Sequence, residues 1–164
     1  MYVPLDTAKR QIRLLHLDPG EEDTELSGAL RDASLDDEPV YEAIPYVWGA
    51  WEDPGSIIIK QFEEVVSITA NLQAVLRSVR LPNRPRVLWV DALCVNQNDL
   101  EERGSQVSIM GEVYGQAHQV LVHLGDSLEG CELAIEAVRR LGDDTSLNAS
   151  TYMDHGLNIR GVGL

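Results

Sequence analysis

Residues 88–114 constrain the fold of this chain more than any other stretch. The sequence LWVDALCVNQNDLEERGSQVSIMGEVY begins within a continuous apolar run, residues 87–90, which is typical of a strand covered on both faces. The run ends on an acid, Asp91, and a polar turn follows at residues 96–99. The spacing of apolar residues then predicts a helix over residues 100–116.

The same alternation of strand and helix continues towards the C-terminus. Residues 120–124 have the composition of a buried strand, and residues 129–141 carry apolar side chains at helical spacing. Strands that alternate with helices are the signature of a parallel sheet with helices on its faces. We therefore predict an α/β fold with a mainly parallel central sheet flanked by helices.

The N-terminal part of the chain is richer in predicted strands. We expect a first strand at residues 11–17 and a hairpin whose arms are residues 56–59 and 65–68. Residues 41–48 also have strand composition, but Pro45 cannot donate a ladder hydrogen bond. This stretch is therefore predicted to be an edge strand or a strand broken in the middle.

One helix and one acidic segment complete the prediction for this part. Residues 69–80 place their apolar side chains on a single helical stripe, and either Thr69 or Asn71 can cap the helix. Residues 18–39 are rich in Asp and Glu, so we expect a solvated loop region there. With 164 residues and no dividing linker, residues 1–142 are predicted to form a single domain. Residues 143–164 are polar and are expected to form a frayed tail.

Charge and composition exclude several classes of function. The net charge of −14 repels phosphate backbones and anionic lipid, so we expect neither nucleic acid nor a membrane surface as partner. The chain has no apolar run long enough to span a bilayer, no secretory signal and only two cysteines, which predicts a cytoplasmic protein without a membrane span. It also lacks a phosphate-binding glycine loop, an HExxH sequence and paired CxxC motifs, so no metal site is predicted.

Three polar side chains fall on the apolar side of the predicted helix at residues 100–116. A helical wheel places Glu102, Arg103 and Gln106 among the hydrocarbon side chains. Burying such groups costs several kcal/mol, on the order of 2–7, unless they are paired or hydrogen-bonded. These residues and Asp91 are therefore the leading candidates for a site.

Two interpretations of these residues remain open at this point. In the first, Asp99 and Glu102 form a capping box, Arg103 pairs with Asp91 or another carboxylate, and Gln106 binds a loop. In the second, Glu102 and Asp91 line a cleft at the carboxyl ends of the parallel strands, where open α/β sheets bind ligands. Arg103 would then hold a carboxylate or phosphate bidentately.

Other polar and aromatic residues are weaker candidates. Cys94 lies in an apolar stretch and His123 inside an apolar strand, so core packing is expected for both. Trp48 and Trp51 flank Gly49 and could wall a pocket together with Tyr46. For these aromatic residues and for Trp89, core packing is the simpler interpretation.

Several blocks of this sequence, in order, resemble the fungal heterokaryon incompatibility (HET) domain. YEAIPYVWG at residues 41–49 resembles the first block and ANL followed by LR at residues 70–77 the second. LWVDALCVNQ at residues 88–97, with the polar residues of the following helix, resembles the third. The resemblance covers residues 2–126 and makes the following residues motif positions: Tyr46, Trp48, Gly49, Asn71, Trp89, Cys94, Asn96, Gln97, Arg103 and Gln106. Pro45 stands where Ser is usual in the family, and His123 where Trp is common.

The resemblance implies a role in non-self recognition between fused fungal cells, ending in regulated cell death. Such a module would act through association with other proteins, including self-association, and would require no cofactor. The family also resembles TIR domains distantly, and some TIR domains cleave NAD through a glutamate on a helix. By that analogy Glu102 would be a catalytic residue, with Asp91 beside it and NAD as substrate. The sequence leaves the choice between a signalling module and an enzyme open.

Overall fold

The computed structural model describes residues 2–21, 23–45 and 53–122, and the backbone of Leu157–Ile159. Eight described strands form one sheet. In chain order they are β1 (Gln11–Leu17), β2 (Ser27–Ser34), β3 (Glu42–Ala43), β4 (Gly55–Ile59), β5 (Glu64–Ile68), β6 (Arg86–Trp89), β7 (Gln119–Val122) and β8 (Leu157–Ile159). Their order across the sheet is β5-β4-β2-β1-β6-β3-β7-β8.

Three α-helices accompany the sheet in the described part of the chain. They are α1 (Ala70–Val79), the single turn α2 (Asp91–Cys94) and α3 (Leu100–Gln116). Short 3-10 turns lie at Thr7–Lys9, Leu35–Asp37 and Lys60–Phe62. The predicted helices at residues 69–80 and 100–116 are therefore confirmed, whereas α2 was not predicted.

The α/β class is confirmed, but the prediction of a mainly parallel sheet is wrong. Of the strand pairs, β1–β2, β1–β6, β4–β5 and β7–β8 are antiparallel, and only β2–β4, β3–β6 and β3–β7 are parallel. The physical reason is the position of β1, which lies in the middle of the sheet and runs opposite to both of its neighbours. The predicted hairpin is confirmed as β4–β5.

Strand β2 occupies a segment for which a solvated loop was predicted. Its sequence, SGALRDAS, has little strand propensity, but every residue of β1 has a partner on it, from Gln11 opposite Ser34 to Leu17 opposite Gly28. A Cβ at Gly28 would lie 2.6 Å from the His16 carbonyl oxygen, so a side chain there would force β1 and β2 apart. Pairing with a neighbour therefore overrides the local composition.

Strand β3 is short and central, although an edge strand was one of the two predicted outcomes. It pairs in parallel with β6 on one side and with β7 on the other. The Ile44 amide still donates to the Trp89 carbonyl oxygen at 2.9 Å, and Pro45, which has no amide hydrogen, comes next. The described strand therefore ends before Pro45, and the rest of the predicted stretch, residues 46–48, lies outside the described residues.

The core is continuous from the hairpin to β7. Helix α1 buries Leu72, Val75 and Leu76, and the Thr69 hydroxyl caps it by accepting from the Leu72 amide at 3.2 Å. Helix α3 buries Glu102, Gln106 and Val113. Leu100 and Val107 are exposed although they are apolar, so the buried face of α3 is not centred on its apolar residues.

Several predictions fall outside the described residues. Tyr46, Trp48, Gly49, Trp51, His123 and the helix at residues 129–141 are among them. Strand β8 lies within the segment that we expected to be a frayed tail, and it pairs with β7. None of the helices that the structure describes is long and apolar enough for a membrane span.

Candidate functional site

The centre of the predicted site is a buried ion pair between α3 and β1. The Arg13 guanidinium donates from Nη1 to Glu102 Oε1 at 2.5 Å and from Nη2 to Glu102 Oε2 at 2.8 Å. Glu102 is 8% exposed and Arg13 is 2% exposed. This two-pronged geometry matches the planar fork of arginine to the two oxygens of a carboxylate.

The polar turn before α3 fixes Glu102 from the other side. The Asn96 amide donates to Glu102 Oε1 at 2.8 Å, and Asp99 Oδ1 accepts from the Glu101 and Glu102 amides at 3.0 and 3.1 Å. Asp99 is thus the N-cap, as predicted. The reciprocal half of the capping box is replaced, since the Glu102 carboxylate reaches back to Asn96 instead of Asp99.

The N-terminal segment closes over Arg13. The Tyr2 ring lies 4.9 Å from the guanidinium carbon, and Tyr2 Oη donates to the Leu93 carbonyl oxygen at 3.1 Å. Arg13 also donates to the carbonyl oxygens of Val3 and, at 3.3 Å, Cys94. Every nitrogen of the fork that faces Glu102 therefore has protein partners, and the pair lies in a closed interior.

Electrostatics favours the ionised form of Glu102. Burial by itself would raise the pKa of the carboxyl, but the hydrogen bonds from Arg13 and from the Asn96 amide outweigh it, so the pKa is lowered. A general acid needs a carboxyl whose pKa is raised towards the working pH. Glu102 is shifted in the opposite direction.

Asp91 and Arg103 do not join this centre. Asp91 begins α2 and its Oδ1 accepts from the Ala92 amide at 2.8 Å, while its carbonyl oxygen accepts from Gln97 Nε2 at 2.9 Å. Arg103 is exposed, and its guanidinium makes no ion pair with any residue that the structure describes. The predictions that Arg103 pairs with Asp91 and lies on the buried side of α3 are therefore wrong.

The remaining described motif residues take up structural positions. Trp89 is fully buried and meets the Tyr114 ring edge-on at 5.4 Å between centroids. Gln106 Nε2 donates to the Gln11 carbonyl oxygen at 2.9 Å and so ties α3 to the first residue of β1, whereas the capping interpretation expected it to bond a loop. Asn71 lies exposed in the first turn of α1.

Cys94 is a core residue. Its side chain is fully buried, and burial raises the pKa of the thiol to about 12. Because the thiolate is the nucleophile, a thiol that stays protonated at neutral pH is inert. The expectation of core packing for Cys94 is confirmed.

Arg13 is the member of the buried ion pair that the sequence analysis did not identify. A charged side chain in the apolar run QIRLLHL is itself a signal of a buried ion pair. A buried arginine requires a carboxylate partner, and Glu102 is the carboxylate that the sequence places on the apolar side of a helix. A charged residue in an apolar strand and an acid on the apolar side of a helix together predict an ion pair between Arg13 and Glu102.

The described surface has a groove elsewhere. It encloses about 530 Å³ and is lined by Arg10, Leu35, Asp36, Glu38, Pro39 and Gln116. None of the candidate site residues lines it. Within the described residues, no group of His, Cys, Asp and Glu side chains is placed to hold a metal ion.

Comparison with known proteins gives the family. The model of the heterokaryon incompatibility protein (HET) family matches residues 41–157. Over an alignment of 173 residues, the chain is 30% identical to heterokaryon incompatibility protein 6, OR allele, of Neurospora crassa; the alignment covers 96% of this chain and 25% of that relative. The chain thus spans about a quarter of the relative's length. No solved structure matches the chain significantly. On the strength of the family model and this relative, the chain belongs to the heterokaryon incompatibility family.

Proposed function

We propose that this chain is a signalling module of fungal non-self recognition that promotes regulated cell death by associating with other proteins in the cytoplasm. Membership of the heterokaryon incompatibility family supports the link to incompatibility. Association, as opposed to chemistry, is favoured by one observation. Both carboxylate oxygens of Glu102 already accept hydrogen bonds from groups inside the protein.

The hydrogen-bond count at Glu102 carries this argument. Oε1 accepts from Arg13 and from the Asn96 amide, and Oε2 accepts from Arg13. A glutamate that binds a ribose or stabilises an oxocarbenium-like transition state must present its carboxylate to a substrate. Glu102 would first have to abandon Arg13, which would leave a buried guanidinium without its counter-charge.

Expression in a fungal host tests the proposed role. The wild-type chain is expected to arrest growth of a strain of incompatible type, measured as colony extension with the protein level monitored by immunoblot. A variant with a broken core, Leu76→Asp, serves as the matched control because Leu76 is fully buried in α1. Unimpaired growth with stable wild-type protein would overturn the proposal.

A separate assay tests the absence of NAD cleavage. Purified wild type and Glu102→Gln, both checked for folding by circular dichroism, are incubated with NAD at high protein concentration. Neither is expected to consume NAD. Consumption by the wild type that Glu102→Gln abolishes would contradict the structural role of Glu102 and support a TIR-like enzyme.

A further inference from the structure

Strand β5 forms one edge of the described sheet, and its own sequence gives it little protection. Among the strands that the structure describes, it lies at one end of the order and pairs with β4 alone. Edge strands are commonly blunted by lysine, proline, bulges or a covering segment. The sequence of β5, EVVSI, has one charged residue, at its start, and Val65 is 64% exposed.

The orientation of the backbone groups of β5 follows from its neighbour. The Ile58 amide donates to the Leu26 carbonyl oxygen at 2.9 Å, so the backbone of Ile58 points away from β5 and towards β2. The side to which the N–H and C=O groups point alternates along a strand. The N–H and C=O groups of Ile57 and Ile59 therefore point towards β5. Their partners Val66 and Glu64 therefore point inwards.

Two residues of β5 consequently face outwards with their backbone groups. These are Val65 and Ser67, each with one amide hydrogen and one carbonyl oxygen. No hydrogen bond to any of these four groups occurs among the described residues. Four unpaired groups in alternation are a template for one more antiparallel strand.

We infer that β5 pairs with the β5 strand of a second copy of this chain, antiparallel and across a two-fold axis through Val66. This register places Val65 opposite Ser67 of the other copy, and Ser67 opposite its Val65. Both residues present outward backbone groups, so the pairing makes four hydrogen bonds and leaves none of the four groups unpaired. The inference deepens the proposed function, on which it rests, by naming the partner of an associating module.

Charge is compatible with this register although the chain carries −14 overall. Glu64 falls opposite Ile68 of the other copy, so no acid faces an acid. The two Glu64 residues lie four positions apart along the pair, about 14 Å at about 3.4 Å per residue. This separation exceeds the Debye length of about 8 Å at physiological ionic strength, so salt screens their repulsion.

Cysteine cross-linking tests the register directly. Val66→Cys is made together with Cys131→Ser, and the full chain is oxidised mildly at physiological ionic strength. Residues on the two-fold axis in a non-hydrogen-bonded pair have Cα atoms about 4.5 Å apart, within the range of a disulfide. A disulfide-linked dimer is therefore expected on a non-reducing gel.

Val65→Cys in the same background is the matched control. Its two copies are diagonal neighbours about 7–8 Å apart, which is too far for a disulfide. Monomer is expected. Absence of dimer for Val66→Cys, or equal dimer for both variants, would overturn the inference.

Ser67→Pro separates pairing from folding. Proline removes an outward amide hydrogen that takes no part in the β4–β5 ladder, so the melting temperature should stay near that of the wild type. Introduced into the Val66→Cys chain, it is expected to abolish the dimer, whereas Ser67→Thr, which keeps the amide hydrogen, is expected to retain it. Dimer formation by a folded Ser67→Pro chain would contradict the pairing.

Growth assays keep this test distinct from that of the proposed function. If Val66→Cys dimerises and the folded Ser67→Pro variant loses growth arrest, both proposals are supported. If Val66→Cys stays monomeric while the wild type arrests growth, the β5 pairing fails and the signalling role stands.

Discussion

Two arginines near the start of the chain each reach a glutamate of α3, and their surroundings differ completely. Arg13 and Glu102 meet inside the protein, with side chains 2% and 7% exposed. Arg10 contacts Glu112 at the surface, with side chains 34% and 53% exposed, and shares its guanidinium with Asp36. The same two residue types therefore form a buried, structural ion pair in one place and a solvent-exposed ion pair in the other.

The difference teaches where this fold depends on charge. A buried ion pair is held because breaking it leaves an uncompensated charge in the interior, whereas water replaces either partner of an exposed pair. Arg13 and Glu102 join β1, α3 and the turn before α3 at one point. The ion pair at Arg10 joins the residue before β1 to the second half of α3 at the surface, without excluding water.

The largest effect is expected from Glu102→Ala. The substitution leaves the Arg13 guanidinium and the Asn96 amide buried without their acceptor, and breaking a buried pair in this way costs about 3–5 kcal/mol. The free energy of unfolding in urea measures it. A loss as small as that of a surface substitution would show that Glu102 does not hold the fold.

Arg80→Met is expected to have the next largest effect. Its loss of stability should lie between the losses from breaking the buried and the exposed ion pairs. The Arg80 guanidinium donates to the carbonyl oxygens of Asp18, Pro19, Glu21, Thr24 and Glu25, which gathers the acidic loop before β2 around one cation. Loss of these bonds should cost about 2–3 kcal/mol, as for hydrogen bonds to a charged group.

Hydrogen exchange locates the effect of Arg80→Met. Amides in the loop before β2 should exchange faster, while those of β1 and α3 should not. Arg80→Lys is the matched control, because a point charge cannot reach all five oxygens and should recover only part of the loss. Unchanged exchange in the loop would contradict the role of Arg80.

Lowering the pH is expected to have a smaller effect on the free energy of unfolding. The pKa of Glu102 is lowered on folding, so its stabilisation is complete above the unfolded value of about 4.3 and is lost as the pH falls from there through the folded pKa. The free energy of unfolding should fall by at most about 1.4 kcal/mol per pH unit from this group. The double variant Arg13→Met/Glu102→Leu should lack this component, and an identical acid profile would contradict the assignment.

The smallest effect is expected from Arg10→Met and Glu112→Gln. Both residues are exposed, and water and salt replace the contact. Each variant should melt within experimental error of the wild type. A shift comparable to that of Glu102→Ala would show that exposure does not separate the two pairs.

Local pattern predicted much of the fold, and tertiary pairing accounts for what it missed. Strand β1, the hairpin, α1 and α3 have clear periodicity and clear boundaries, such as the Thr69 and Asp99 caps. Strand β2 has neither clear periodicity nor clear boundaries. Its residues must fit closely against β1, as the lack of room for a side chain at Gly28 shows. The mixed direction of the sheet was missed because β1 lies between β2 and β6 and runs opposite to both, a placement that no local pattern predicts.

At the candidate site, the sequence identified the unusual residue but not its partner. The apolar face of α3 predicted that Glu102 and Gln106 are buried, and both are. Arg103 was placed wrongly, because exposed Leu100 and Val107 shifted the centre of the wheel towards it. Arg13 lies 89 residues from Glu102 in sequence, and no local pattern joins residues that far apart.

A double-mutant cycle of Arg13→Met and Glu102→Leu tests the structural role of Glu102 most directly. Apolar residues of similar volume often replace a buried ion pair without loss, so the double variant is expected to recover most of the stability that either single variant loses. The coupling energy in urea unfolding should therefore be at least as large as the loss of one single variant, about 3–5 kcal/mol. Additive losses, with a coupling energy near zero, would contradict the account.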